Sequence, residues 1–149
     1  MTTLSVTRSI FIAVPPERVW AAVSEPAQLE RWYAPGCPWE IAALEVGALV
    51  KFYNTPEDVQ TATIAVLDPP RELRLRWQAD ASQPGAEIVT AFQLEPVEGG
   101  TCVTIYEAGY DTLPGDVGPA LAEQAAQGYV TSLEALRARL EAVGAWLPA

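Results

Sequence analysis

The last third of the chain carries one long helical pattern, and this pattern limits the folds that the rest of the chain can adopt. Within residues 113–146, apolar side chains recur every three or four positions, and Glu123, Glu134 and Glu141 fall between them. The apolar set is Leu121, Ala125, Tyr129, Leu133, Leu136, Leu140 and Val143. About 26 residues at roughly 1.5 Å each predict a helix about 39 Å long, enough to cross a whole sheet. The preceding chain must supply an apolar surface to cover it.

Residues 39–110 have the pattern of short strands separated by turns. The predicted strands are 39–44, 47–54, 60–67, 72–79, 86–95 and 101–109, and the β-branched residues 4–13 predict one more at the start. Leu73, Leu75 and Trp77 alternate with polar residues, which indicates a sheet with one dry face. Strands of this length at this spacing predict an antiparallel meander.

Two short helical patterns follow the first strand, and each begins at a proline, Pro16 and Pro26. Their rings, Trp20, Trp32 and Tyr33, are expected to close the end of the core that the long helix alone leaves open. The predicted fold class is α+β: one strand, two short helices, six strands and a long helix, as a single domain over residues 1–149.

Composition excludes several classes of function. A net charge of −10 argues against nucleic acid and against an anionic membrane. The chain has no histidine, so it cannot build a Ser-His-Asp relay or a histidine-ligated metal site, and its two cysteines match no zinc spacing. It also lacks a dinucleotide or P-loop motif, a signal peptide and a membrane-spanning run. We therefore predict a cytoplasmic protein without a cofactor.

Three stretches add a family resemblance: VPPERVWAAVSEPAQLERWYAPG near the start, EAGY after the last strand, and GYVTSLEAL in the long helix. With the element order, they make the chain resemble the START/birch-pollen-allergen superfamily (SRPBCC), in the branch related to the heat-shock-protein-90 ATPase activator. The resemblance implies a helix-grip fold, in which a seven-stranded antiparallel sheet wraps a long C-terminal helix, often around an apolar cavity. It implies no shared catalytic set.

Glu107 is the most unusual candidate site residue. Its position in the strand places it with Val103 and Ile105, on the side expected to be dry. A bulge near Gly109 or an exposed strand end would instead turn it outward. If it is buried, it can anchor a ligand in an apolar pocket. Arg8 lies on the inner side of the first strand and is a possible partner for it.

Gly128 and a set of aromatic residues complete the predicted ligand site. Gly128 falls on the apolar stripe of the long helix, so it leaves room between helix and sheet either for close packing against a residue such as Trp77 or for a ligand. The aromatic candidates, which are also expected core residues, are Trp32, Phe52, Trp77, Phe92 and Tyr129.

The leading functional hypothesis is non-catalytic binding of a small apolar or aromatic molecule between the sheet and the long helix. The first alternative is an enzyme of the polyketide cyclase/aromatase kind that uses Glu107, Tyr106, Tyr110 or Tyr129. The second is a co-chaperone-like interaction module. A closed, packed core would favour the module, and a cavity with convergent polar groups would favour the enzyme. A homodimer is compatible with each of them.

Overall fold

A computed structural model of the protein describes residues 4–78 and 85–146, with side chains described as far as residue 142. Its strands are β1 (Ser5–Ile12), β2 (Trp39–Ile41), β3 (Leu49–Tyr53), β4 (Val59–Asp68), β5 (Glu72–Trp77), β6 (Val89–Val97) and β7 (Gly100–Ala108). Its helices are α1 (Pro16–Ser24), α2 (Pro26–Trp32) and α3 (Val117–Trp146). The seven strands form one antiparallel sheet in the order β1-β7-β6-β5-β4-β3-β2. This is the predicted α+β helix-grip architecture.

The strand ends differ from the prediction by a few residues. β2 stops at Ile41 instead of residue 44, because only Trp39–Ile41 pair with β3. α3 has 30 residues instead of about 26, since it begins directly after the turn at Gly115. The predicted strand end at Ala79, the turn at Gln83-Pro84 and the side chain of Val143 lie outside the described residues.

α1 and α2 are short helices held together by an aromatic side chain. Both begin at the predicted prolines, Pro16 and Pro26. Trp32 is almost fully buried, and its indole N–H donates to the carbonyl of Ala22 over 2.9 Å, which ties α2 to α1. Its ring meets Phe92 of β6 edge-on at 6.1 Å between ring centres. The two helices therefore gain their stability from packing rather than from length.

α3 covers the core with most of the predicted stripe, since Tyr129, Leu133, Leu136 and Leu140 are buried as expected while Leu121 and Gly128 are not. Its buried residues are Ala122, Tyr129, Leu133, Leu136 and Leu140, at spacings of seven, four, three and four. Leu121 is 40% exposed, and Gly128 is exposed as well. The placement of Gly128 between helix and sheet was therefore wrong, because one position along a helix turns a residue by about 100°. Although α3 is long, no helix in the described part of the chain combines the length and apolarity needed to span a bilayer.

Two glycines of α3 sit in opposite environments. A Cβ at Gly118 would overlap the carbonyl of Tyr110, so the bare backbone there allows α3 to start close against the preceding turn. A Cβ at Gly128 would meet nothing within 4 Å. Gly118 is therefore required by packing, and Gly128 is not.

We predict opposite effects for the two glycine-to-alanine changes. Gly128→Ala should raise the free energy of unfolding by about 1 kcal/mol, the propensity difference between the two residues in a helix. Gly118→Ala should lower it by about 1–3 kcal/mol, because the new methyl group forces the backbone apart. Urea unfolding measures both. A destabilised Gly128→Ala variant would contradict the exposed position of Gly128.

Candidate functional site

Glu107 lies on the inner face of the sheet and is 9% exposed. β7 stays regular to its end, with Thr101, Val103 and Ile105 buried at alternate positions before it. Of the two orientations that the sequence left open for Glu107, the structure shows the inward one, without a bulge or an exposed strand end. The chain then turns at Gly109, whose φ of 104° and close approach to the Glu87 carbonyl both require glycine.

Three hydroxyl groups from three different elements donate to the Glu107 carboxylate. Thr90 lies directly opposite it on β6 and donates to Oε2. Tyr110, brought back by the turn at Gly109, donates to Oε1. Tyr129 of α3 donates to Oε2 over 2.6 Å. Because an ionised carboxylate is an acceptor only, it is the form that takes all three donors at once.

The hydrogen-bond network extends beyond Thr90 to Trp77 and beyond Tyr129 to Tyr33. The number of hydrogens on each group determines which group is the donor. The Trp77 indole N–H donates to Thr90 Oγ1 over 2.9 Å. The Tyr33 and Tyr129 hydroxyl oxygens lie 3.0 Å apart. The single hydroxyl hydrogen of Tyr129 is already engaged in the hydrogen bond to Glu107. Tyr33 is therefore the donor in that pair. The network therefore ends at the Tyr33 oxygen, which keeps its own lone pairs for a further donor.

The tyrosines of this network are held in the neutral form. Burial, reinforced by the negative charge of Glu107, raises the pKa of Tyr33 and of Tyr110 above the ordinary value of 10.0. Burial also raises the pKa of Tyr129 well above that value, with Tyr33 and Glu107 adding to the effect. All three phenols therefore act as proton donors in hydrogen bonds at neutral pH.

Arg8 does not take part in the site. It is exposed, and its guanidinium donates to the carbonyl of Thr7 over 2.8 Å. The suggested contact between Arg8 and Glu107 was wrong, because it is Val6 that lies opposite Glu107 in the β1–β7 register. Hydroxyl groups replace the expected cation.

A cluster of aromatic rings surrounds the Tyr33 end of the network. Tyr33 contacts Trp39 at 5.2 Å, Phe52 at 6.0 Å and Phe92 at 5.9 Å between ring centres, each close to edge-on. Trp39 also contacts Trp77 at 6.1 Å. We call Tyr33, Trp39, Phe52, Trp77, Phe92 and Tyr129 the aromatic cluster. The indole nitrogen of Trp39 is buried in it without a hydrogen-bond partner in the described part of the chain.

The structure brings together most of the predicted site residues. Phe52, Trp77, Phe92 and Tyr129 join Glu107 in and around the cluster, and Trp32 packs behind Phe92. Gly128 lies outside it on the exposed side of α3, and Tyr106 alternates with the buried residues of β7 and so faces the other side of the sheet. Whether these residues bind a ligand stays a prediction.

Sequence reasoning missed Tyr33, Trp39 and Thr90 as site residues. Thr90 shares the strand face of Phe92, and alternation along β6 was the available signal for it. The positions of Tyr33 and Trp39 depend on how α2 meets the sheet, which no local pattern specifies.

Two concave regions on the described residues lie away from the aromatic cluster. One is a groove of about 510 Å³ between α1, α2 and α3, and the other, of about 360 Å³, lies beside Ala13–Pro16. The expected cavity between sheet and long helix is not one of them.

The fold and the site define a helix-grip protein with a buried polar network at one end of its core. Residues 3–141 match the family model described as polyketide cyclase / dehydrase and lipid transport, and the chain belongs to this family. The predicted resemblance to the START/birch-pollen-allergen superfamily is thereby confirmed. No curated protein sequence matches the chain.

Solved structures share the fold at low sequence identity. Protein MLL2253 of Mesorhizobium loti has a TM-score of 0.78 and 21% identity, over 92% of this chain and 96% of its own. The Aha1 dimer of Colwellia psychrerythraea has a TM-score of 0.70 and 21% identity, over 95% and 97%. A protein of Rhodobacter sphaeroides has a TM-score of 0.69 and 26% identity, over 93% of both chains.

The raised tyrosine pKa values predict a loss of stability in alkali. A folded pKa above the unfolded value of 10.0 stabilises the protein fully below that value, and this contribution falls as pH rises through it. Tyr129, which is buried, lowers the free energy of unfolding by about 1.4 kcal/mol per pH unit between pH 10 and its folded pKa. Tyr129→Phe should therefore show a shallower alkaline slope than wild type in urea unfolding.

Tyr106→Phe is the matched control, because it removes a phenol hydroxyl from the same sheet on the face opposite the site. It should keep the wild-type slope. Equal slopes for wild type and Tyr129→Phe would contradict the buried, neutral state of Tyr129.

Proposed function

We propose that the protein binds a small aromatic or apolar molecule at the aromatic cluster, between the sheet and α3, without transforming it. The observation that carries the proposal is the buried indole N–H of Trp39, which has no acceptor in the described part of the chain. An unpaired buried donor costs about 1–3 kcal/mol, and an acceptor on a bound molecule would remove that cost.

The chemistry of the cluster suits such a ligand. Six rings supply apolar surface and edge-on aromatic contacts, while the Tyr33 oxygen and the Trp39 N–H supply one acceptor and one donor. A few polar groups in an aromatic surrounding are the usual composition of a small-molecule site. Tyr33 and Trp77 are only half-buried, so a ligand would reach the cluster at their end.

Binding is favoured over acid–base catalysis by the state of the polar groups. An enzyme of the cyclase kind, which the family description includes, would need a base at the reacting atom. Both oxygens of Glu107 already accept hydrogen bonds from hydroxyl groups of the same chain. The raised pKa values of Tyr33, Tyr110 and Tyr129 make the phenols poor proton donors for transfer. The network is therefore better suited to orient a ligand than to move its protons.

A packed core would favour the co-chaperone-like module, and neither of the two concave regions opens at the aromatic cluster. The likeness to the Aha1 dimer supports the shared fold and is compatible with a homodimer. It brings no residue of an interaction surface with it. We also propose that residues 1–149 form a single domain and that the protein is cytoplasmic.

Two ligands of nearly the same shape test the role of Trp39. Acetylnaphthalene carries a carbonyl acceptor, and ethylnaphthalene does not. Wild type should bind the acetyl compound about five- to tenfold more tightly, as one net hydrogen bond predicts. Trp39→Phe keeps a ring but removes the N–H, so it should bind both compounds equally. Isothermal titration calorimetry gives the affinities, and native mass spectrometry of freshly purified protein identifies any retained molecule.

Gly128→Ala provides the control, since it changes the exposed side of α3 and should leave both affinities unchanged. Absence of saturable binding of either compound by folded wild-type protein, together with an empty mass spectrum, would overturn the proposal. Equal affinity of wild type for the two compounds would show that the Trp39 N–H does not hydrogen-bond the ligand.

A further inference from the structure

Three arginines line the groove between α1, α2 and α3. Arg18 comes from α1, Arg31 from α2 and Arg139 from α3, and Glu17 is the one acidic residue of the lining. The groove therefore holds three positive charges against one negative charge. The whole chain has nine basic and 19 acidic residues, so a third of its cations lie in this groove.

In the part of the chain that the structure describes, these arginines form no ion pair with an acidic side chain. Within residues 4–78 and 85–142, the ion pair at salt-bridge distance is the one between Arg74 and Glu72. On their own helices, the residues three and four positions from Arg18, Arg31 and Arg139 are all uncharged. Arg18 and Arg139 are half-buried, which strengthens the repulsion between like charges.

Arg137 shows what an ordinary surface arginine of α3 looks like. It is exposed, and Glu134 and Glu141 lie three positions before and four positions after it. Such spacing is typical of a solvated helix face with compensating charges. Arg139, two residues further on, turns to the groove and lacks both neighbours.

We propose that this groove binds a small organic anion through a phosphate or carboxylate group. Guanidinium groups form paired, charge-assisted hydrogen bonds with the oxygens of both groups. Ala21, Ala27 and Leu140 line the rest of the groove, so the ligand carries an apolar part beside its charged group. A volume of about 510 Å³ is within the range of small-molecule sites.

The groove is separate from the aromatic cluster. α2 lies between them, because Arg31 lines the groove while the next residue, Trp32, is buried in the core. Binding at the groove therefore does not depend on the function proposed for the cluster.

Pyrophosphate and citrate are suitable probes for the two kinds of oxyanion. Calorimetric titration of wild type with each should show saturable binding of at least one probe at millimolar or lower concentration. Arg31→Gln and Arg139→Gln should each weaken that binding about tenfold, because each removes a charge-assisted hydrogen bond. Arg137→Gln removes the same charge from the same helix as Arg139→Gln, and it should change the affinity by less than about twofold.

The outcomes separate clearly. Binding of pyrophosphate alone assigns a phosphate ligand, binding of citrate alone assigns a carboxylate ligand, and both support the groove. If neither probe saturates, the proposal is wrong. It is also wrong if Arg137→Gln weakens binding as much as Arg139→Gln, or if the two groove variants bind as tightly as wild type.

Discussion

A carboxylate taken out of water needs hydrogen-bond donors in place of its hydration shell. Glu107 meets this need with hydroxyl groups from β6, from the turn after β7 and from α3. One buried charge thus fixes how the sheet, the turn and the long helix meet. The β6–β7 register, the glycine turn at Gly109 and the rotation of α3 all have to be correct for the three donors to reach it. Loss of any one donor would leave a buried acceptor partly unsatisfied, which is costly.

The same interaction sets the chemical character of the inner of the two surfaces that flank α2. On the inner side, every hydroxyl group of the network donates its hydrogen bond in the direction of Glu107. The Tyr33 oxygen at the far end can therefore accept a further hydrogen bond, and it lies in the same cluster as the Trp39 N–H, which has no partner in the described part of the chain. That side is neutral and aromatic, and suits an uncharged ligand with few polar groups. On the outer side, Arg18, Arg31 and Arg139 form a cationic groove in a strongly acidic chain. A short helix therefore separates two regions of opposite chemistry.

The fold was predictable because it rests on periodicity, which is local. Alternation along β7 was enough to place Glu107 inside, and the spacing in α3 was enough to place Tyr129, Leu133 and Leu136 against the sheet. The errors lie where local pattern is silent. Gly128 precedes the buried Tyr129 by one residue, and this difference in helix rotation puts it on the exposed side of α3. Arg8 was predicted to pair with Glu107 because both lie on the same sheet face, but the β1–β7 register places Val6 opposite Glu107. Thr90, Tyr33 and Trp39 reach the site through contacts between elements distant in sequence, which only the tertiary structure specifies.

The central claim is that Glu107 is an ionised carboxylate that accepts hydrogen bonds from three hydroxyl groups inside the core. Infrared difference spectroscopy between wild type and Glu107→Gln at neutral pH tests it directly. The claim predicts that the variant loses a carboxylate stretching band, and that Tyr110→Phe shifts this band because one donor is gone. The Tyr110→Phe measurement stands even if Glu107→Gln folds poorly. Loss of a protonated carboxylic acid band instead, with the carboxylate bands unchanged in both variants, would contradict the account.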